Sequence, residues 1–215
     1  IASQNGHDNT VDLLLDAGAN VLVARADNWT ALHSAVTNER VGATRLLIDA
    51  GAPLEAARDG FTPLTYAAQE GLDAFVMLLL DAGANPSGAR ADGPTPLLMA
   101  AQNGHGQLIT QLVAAGADPD DGGTEGPPLI QAAGRGQVEL FALLVDSGAD
   151  VDIRGGQGGG WTALMWAANN DDPAAIEELL RLGADPRVRS DDGESAKDIA
   201  ERFGNTDALT ALKGS

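Results

Sequence analysis

The 215-residue sequence predicts an all-α solenoid: a row of stacked helix–turn–helix units joined by β-hairpin-like fingers. Three observations carry this expectation. The dipeptide Gly-Ala recurs at Gly18, Gly51, Gly83, Gly116, Gly148 and Gly183, at intervals of 33, 32, 33, 32 and 35 residues. A second mark precedes each later one in register: Thr30-Ala31-Leu32, Thr62-Pro63-Leu64, Thr95-Pro96-Leu97, Pro127-Pro128-Leu129 and Thr162-Ala163-Leu164. The composition is 44% hydrophobic yet only 4% aromatic, rich in Ala and Leu. That suits small, closely packed helices and not a β-sandwich, which wants β-branched and aromatic residues.

Each mark has a physical job. Thr is a good helix N-cap, and Pro suits the first helical residue, whose N–H has no intrahelical partner. The stretch Thr62 to Gln69 therefore reads as a short first helix. Its Ala67-Ala68 pair lets neighbouring helices approach closely, and Gly71 can take the positive φ that ends it. A second helix follows, with Phe75, Val76, Leu79 and Leu80 on one face, and Gly83 closes it. The segment 84–93 reads as a turn-rich finger before the next Thr. Two short helices cannot bury their apolar faces alone, so stacking against similar neighbours makes the core.

The units fall in order along a single domain, 1–215. A partial repeat, 1–25, is followed by repeats 26–57, 58–90, 91–123, 124–156 and 157–190, and a C-terminal cap repeat, 191–215. The first lacks its initial mark, and Ile1 to His7 aligns with the middle of a first helix. The chain is thus expected either to be cut within a repeat or to continue upstream. Glu39 and Asp171 stand where Gly usually ends the first helix. Pro127 replaces the capping Thr. The 35-residue interval fits an enlarged fingertip at Gly155–Gly160. The last repeat puts Lys197 where Leu is usual and reads as a polar, solubilising cap.

These residues resemble the ankyrin-repeat family. The likeness lies in "DNWTALHSA" (27–35), "DGFTPLTYAA" (59–68), "DGPTPLLMAAQNGH" (92–105) and "LLVDSGADVD" (143–152), and it covers essentially the whole chain. It is specific for the fold and nearly silent on function, since such modules bind many unrelated partners. By the same resemblance, His33 matches a structural histidine that hydrogen-bonds between repeats. Family members often carry Asn at the end of the finger segment. Here Glu55, Ser87, Asp120 and Asp152 occupy that slot, so the target of the asparagine hydroxylation known in the family is missing.

Other functions are disfavoured by composition and spacing. A formal charge of −18 repels phosphate backbones and anionic membrane surfaces, so no nucleic-acid partner is expected. No apolar run is long enough to span a bilayer. Cysteine is absent, which removes disulfides and thiolate metal sites. His7, His33 and His105 lie in different repeats without metal spacing. "DPDDGGTE" (118–125) fails as a calcium loop, because Gly122 and Leu129 fall on ligand positions. "GGQGGG" (155–160) lacks the Lys and Ser/Thr of a phosphate loop. No cofactor, metal or catalytic residue is expected.

Solenoids bind through an extended concave face, and the resemblance to the ankyrin-repeat family implies that here it is formed by the fingertips and the inner side of the first helices. The slot just before the cap holds Trp29, Phe61, Pro94, Gly126 and Trp161. The slot two after the signature Leu holds Ser34, Tyr66, Met99, Gln131 and Trp166. Five of the eight aromatics fall in these two slots, and aromatics, Met and Arg anchor interfaces. The predicted contact set is therefore Trp29, Phe61, Tyr66, Met99, Trp161 and Trp166. Gln69, Asn103 and Arg135 add polar contacts at first-helix ends. An arginine row runs along the fingers at Arg25, Arg58, Arg90, Arg154, Arg187 and Arg189. Arg58 and Arg90 are its candidate contacts, and local pairing with neighbouring acids is the competing account. Trp161 and Trp166 form one expected cluster, and Trp29, Phe61 and Tyr66 another.

The expected function is a monomeric protein-binding scaffold. Two alternatives stand beside it: an acidic inhibitor or immunity-type protein masking a basic enzyme, and a small-ligand site near the tryptophans. The compartment is not determined by the sequence; a soluble cytoplasmic protein is the default, and export stays open.

Overall fold

The computed structural model describes residues 1–88, 93–155 and 159–213. Among these, fourteen α-helices alternate as first and second members of helical pairs. They divide into two compact units, Ile1–Ala117 and Asp118–Ser215.

Unit 1 holds α1 (Ala2–Asn5), α2 (Asp8–Asp16), α3 (Ala31–Thr37), α4 (Val41–Asp49), α5 (Pro63–Gln69), α6 (Asp73–Asp81), α7 (Pro96–Gln102) and α8 (Gly106–Ala114). Its first helices pack in serial order, α1 on α3, α3 on α5 and α5 on α7. Each second helix packs against its own first helix. Unit 2 holds α9 (Pro128–Gly134), α10 (Phe141–Asp146), α11 (Ala163–Asn169), α12 (Pro173–Arg181), α13 (Ala196–Phe203) and α14 (Thr206–Leu212). There α9, α11 and α13 form one row and α10, α12 and α14 the other.

The sequence marks act as expected. The hydroxyls of Thr30, Thr62, Thr95 and Thr162 each accept a hydrogen bond from the backbone N–H three residues on, and so start α3, α5, α7 and α11. Ser195 does the same for α13. Pro127 supplies no side-chain cap for α9. Gly71 takes φ 70° after α5, while Glu39 and Asp171 adopt φ 57° and 54° where glycine is usual. Non-glycine residues pay a steric cost there.

The core lies between the rows. Leu32, Val36, Leu64, Ala67, Leu97, Ile109, Leu129, Leu164 and Ile176 are all at 1% exposure or less. Burying each Leu or Ile contributes about 1.5–3 kcal/mol. The pair 124–156 departs from the pattern: a 3₁₀ turn over Val138–Leu140 precedes a shortened α10. The fully buried Phe141 opens α10, three residues after the 3₁₀ turn begins, at the repeat position where the other pairs carry Thr44, Val76, Ile109 and Ile176 as the fourth residue of the helix.

Side chains from one repeat close the open helix ends of the repeat before. His105 Nε2 donates to the Gln69 carbonyl at 3.0 Å. Asn170 Nδ2 reaches the Ala133 and Gly134 carbonyls, and Asn205 Nδ2 reaches those of Ala168 and Asn169. Carbonyls in the last turn of a helix lack the N–H four residues on, and the amide or imidazole from the next repeat supplies a donor in its place.

The fingers carry isolated antiparallel bridges at Ala24–Thr30, Arg58–Phe61 and Gly155–Trp161. Their acids do more than solvate. Glu55, Asp120 and Asp152 accept hydrogen bonds from the backbone N–H groups of Asn85, Asp150 and Asp185, each in the following finger. Three of the four slots where the family often has Asn thus hold carboxylates that tie neighbouring fingers together. The expected polar cap is laced with ion pairs, Arg189–Asp198, Lys197–Glu201 and Arg202–Glu194. At the other end, Leu13, Leu14, Leu22 and Val23 are exposed.

Candidate functional site

The two predicted aromatic slots produce two clusters, one in each unit. In unit 1, the extended backbone before α3 and α5 delivers Trp29 and Phe61, and the first turns of the helices deliver His33 and Tyr66. Trp29 stacks on His33 with ring centroids 5.0 Å apart and meets the Tyr66 ring edge-on at 5.3 Å. Phe61 lies 5.1 Å from Tyr66. Trp29 Nε1 donates to Ser34 Oγ at 2.8 Å. The Arg58 guanidinium sits 5.1 Å above the Trp29 ring, with its Nε 3.6 Å from Asp27 and 3.5 Å from Asp59. Trp29, Phe61 and Tyr66 are half-buried, so each keeps an accessible edge or face.

His33 is the base of this cluster and is fully buried. Its Nε2 faces the Phe61 carbonyl at 3.3 Å, and a carbonyl only accepts, so Nε2 carries the proton. Its Nδ1 faces the Thr30 backbone N–H at 3.2 Å, which only donates, so Nδ1 is bare. The ring is thus neutral, with Thr30 Oγ1 donating to the same Nδ1 at 2.8 Å. Burial holds its pKa below the ordinary 6.5, against the raising effect of the Phe61 carbonyl. Burial also pushes the Tyr66 hydroxyl above its usual value. The sequence placed His33 between repeats correctly; the hydrogen bond from Trp29 to Ser34 it did not reveal.

In unit 2, Trp161 and Trp166 form a T-shaped pair with centroids 5.0 Å apart. Both are half-buried. Trp166 Nε1 is buried and lacks a hydrogen-bond partner among the described residues. The next finger approaches closely: the Asp191 backbone N–H donates to the Gly159 carbonyl at 2.8 Å. Arg154 bonds the Gly160 carbonyl through Nε at 3.2 Å and forms an ion pair with Asp191.

The remaining predicted contacts are distributed. Gln69 is half-exposed, with its amide donating to Glu70 at 2.8 Å. Asn103 is exposed and its amide bonds the Met99 carbonyl at 2.9 Å. Arg135 is exposed at the end of α9. Met99 departs from the expectation: it is only 4% exposed, because α7 is buried over six consecutive residues, and it serves packing. Arg90 lies outside the described residues. The finger arginines Arg25, Arg58, Arg154, Arg187 and Arg189 each engage a nearby aspartate, so local pairing describes the described part of the row.

No helix among the described residues is long and apolar enough to cross a membrane. Stacked helical pairs with hairpin-like fingers and a repeated aromatic slot define a repeat protein of the ankyrin type. The family model "Ankyrin repeats (3 copies)" matches residues 1–90, 87–155 and 129–214, and the chain belongs to the ankyrin-repeat family. Its fold is a helix–turn–helix repeat solenoid. Among solved structures it is similar to the ankyrin repeat domain of Bcl-3, described as a unique member of the IkappaB protein family. The TM-score is 0.86 at 25% identity, over 99% of this chain and 96% of that one. It is similar also to the human ASB11 ankyrin repeat domain, with TM-score 0.77 and 28% identity over 98% of this chain and 95% of that one. A curated mouse relative, ankyrin repeat and LEM domain-containing protein 1, is 44% identical over 50 residues. That match covers 23% of this chain and only 9% of the mouse protein's length. Ankyrin-repeat domains are in general non-catalytic protein–protein interaction modules.

Proposed function

We propose that this chain is a non-catalytic binding module that holds a protein partner on its fingertip aromatics and the adjoining turns of its first helices. The observation that carries this is the sorting of aromatics. Five of eight occur at two repeat slots, and all five are half-buried, with surface left to offer. Aromatic side chains supply large contact area at low entropic cost, which is why interface anchors are enriched in them. Gln69, Asn103 and Arg135 supply polar contacts at the rim, and Arg90 belongs to the same finger series. Met99 is left out because its side chain is inside. The partner is a protein, met by a monomer, with no nucleic acid or membrane insertion involved.

The test compares capture of a partner from source lysate by the natural chain and by two variants. One replaces Trp29, Phe61 and Tyr66 by Ala; the other replaces Trp161 and Trp166 by Ala. Each variant is first checked by far-UV circular dichroism. A protein identified with the natural chain and lost with a folded variant is the expected outcome. Capture retained by both folded variants overturns the reading.

A further inference from the structure

The two aromatic clusters differ in one charged position. Counted back from the cap of the following repeat, Arg58 stands four residues before Thr62, and Asp191 stands four residues before Ser195. The Asp-Gly pairs Asp59-Gly60 and Asp192-Gly193 confirm that register. In unit 1, this position places a guanidinium 5.1 Å above the Trp29 ring, flanked by the Asp27 and Asp59 carboxylates. The aromatic face is thus filled by a cation from the protein itself. In unit 2, the same position carries a carboxylate instead.

Among the described residues no cation lies over Trp161 or Trp166. The nearest finger arginine, Arg154, is turned to the Gly160 carbonyl and Asp191. Arg189, in the next finger, is turned to the Gly193 carbonyl and Asp198. Asp192 is exposed, and its Oδ2 lies 3.9 Å from where a Cβ on Gly159 would sit, two residues from Trp161. The finger after Trp161 therefore keeps a carboxylate, Asp192, at the position of Asp59, while the one guanidinium beside Gly160, that of Arg154, is paired with Asp191 and does not lie over the ring. A net charge of −18 adds a long-range pull on a positive partner.

We infer that the Trp161–Trp166 surface takes an arginine or lysine side chain of the partner, in the place that Arg58 fills on Trp29. This rests on the module reading above and narrows it to a basic protein segment. A cation over a tryptophan face gains from the ring's negative quadrupole, and a carboxylate beside it adds a charge-assisted hydrogen bond. Arginine satisfies both at once, since its guanidinium is planar and weakly hydrated.

The chain has three tryptophans, so its indole N–H signals can be followed singly by NMR after assignment with Trp→Phe variants. The probe is a capped hexa-arginine peptide; its control is capped hexa-citrulline, of nearly the same shape without charge. Saturable shifts at Trp161 and Trp166 with hexa-arginine are expected, with little change at Trp29 and none with hexa-citrulline. Arg58→Ala should make Trp29 responsive as well. Asp191→Arg should weaken hexa-arginine binding at Trp161 at least fivefold by placing a cation there internally. Asp192→Asn, which leaves the Arg154–Asp191 pair intact, should weaken it about two- to fivefold.

Equal movement of all three signals, no movement, or an equal response to citrulline overturns the inference. So does unchanged affinity in Asp192→Asn, whatever becomes of the fold of Asp191→Arg. If it fails while the aromatic variants still lose their partner, the module reading stands with an uncharged ligand. If hexa-arginine binds as described while the aromatic variants keep their partner, the module reading falls.

Discussion

The two aromatic clusters occupy the same repeat slots and are held in opposite ways. In unit 1, Trp29 is tied by a hydrogen bond to Ser34, a stack on His33, an edge contact with Tyr66 and a cation above. In unit 2, the residue that matches His33 is Met165, whose sulfur receives only a 3.5 Å contact from the Thr162 N–H. Trp166 takes the place of Ser34, and Glu194 that of Phe61. Trp166 Nε1 has no polar partner among the described residues. The repeat slot therefore decides where an aromatic stands. The residues around it decide how many bonds tie it to the fold.

The sharpest way to break this comparison is to replace each cluster's base by leucine. His33→Leu keeps an apolar filling but leaves the Thr30 N–H without its acceptor and removes the tie to the Phe61 carbonyl. A buried donor left unpaired costs about 1–3 kcal/mol, so a loss of about 2 kcal/mol is expected. Met165→Leu is a volume-conserving apolar swap and should cost under about 1.5 kcal/mol. Urea unfolding midpoints measure both. Equal losses would mean that the polar network in unit 1 adds nothing to what apolar packing gives in unit 2.

Acidity should separate the clusters next. His33 has its folded pKa below the ordinary 6.5 because it is buried, so the folded chain binds fewer protons there than the unfolded chain. Stability from this group is present above pH about 6.5 and is lost as pH falls from there toward the folded pKa. Met165 does not titrate. Lowering pH from 7.5 to 5.5 should therefore raise the opening of α3 more than that of α11. Amide hydrogen exchange, corrected for intrinsic rate, follows Ala31–Val36 against Ala163–Ala168 at the two pH values. Parallel changes in both helices would contradict the neutral tautomer deduced for His33. A His33→Leu variant should abolish the difference.

Much of this was legible in the sequence because it depends on position along one repeat. The interval of 32 to 35 residues, the threonine caps and the membership of the two clusters follow from register alone. His33 was placed between repeats through its resemblance to a family histidine. What stayed hidden depends on the neighbouring repeat. Met99 shares its slot with Tyr66 and Trp166, yet α7 is covered over six consecutive residues and the side chain is inside. Asp120 and Asp152 each hold the backbone N–H of the next finger, a contact that nothing within their own repeat shows. Burial raises the pKa of both above that of an ordinary Asp, more than those hydrogen bonds lower it. The stacking of Arg58 on Trp29 joins two fingers 29 residues apart, and no single-repeat pattern encodes it.

The smallest effect sharpens the comparison at the helix ends. Glu39 in unit 1 and Asp171 in unit 2 both occupy the glycine position, at φ 57° and 54°. A left-handed backbone costs a non-glycine residue roughly 1–2 kcal/mol, so glycine should relieve strain at either site. The side chains differ, however. Asp171 Oδ1 accepts the Ala208 N–H of α14 at 2.8 Å and so links α11 to the cap repeat. Glu39 is exposed and makes no comparable link among the described residues. Glu39→Gly should therefore raise stability by about 0.5–1 kcal/mol, part of the relief being offset by the greater freedom of glycine in the unfolded chain. Asp171→Gly should give a change near zero or a slight loss, because a hydrogen bond to a charged group contributes about 1.5–3 kcal/mol at most and is here half-exposed. Thermal midpoints of the two single variants decide it. An equal gain at both sites would show that the Asp171–Ala208 bond does not hold the cap repeat.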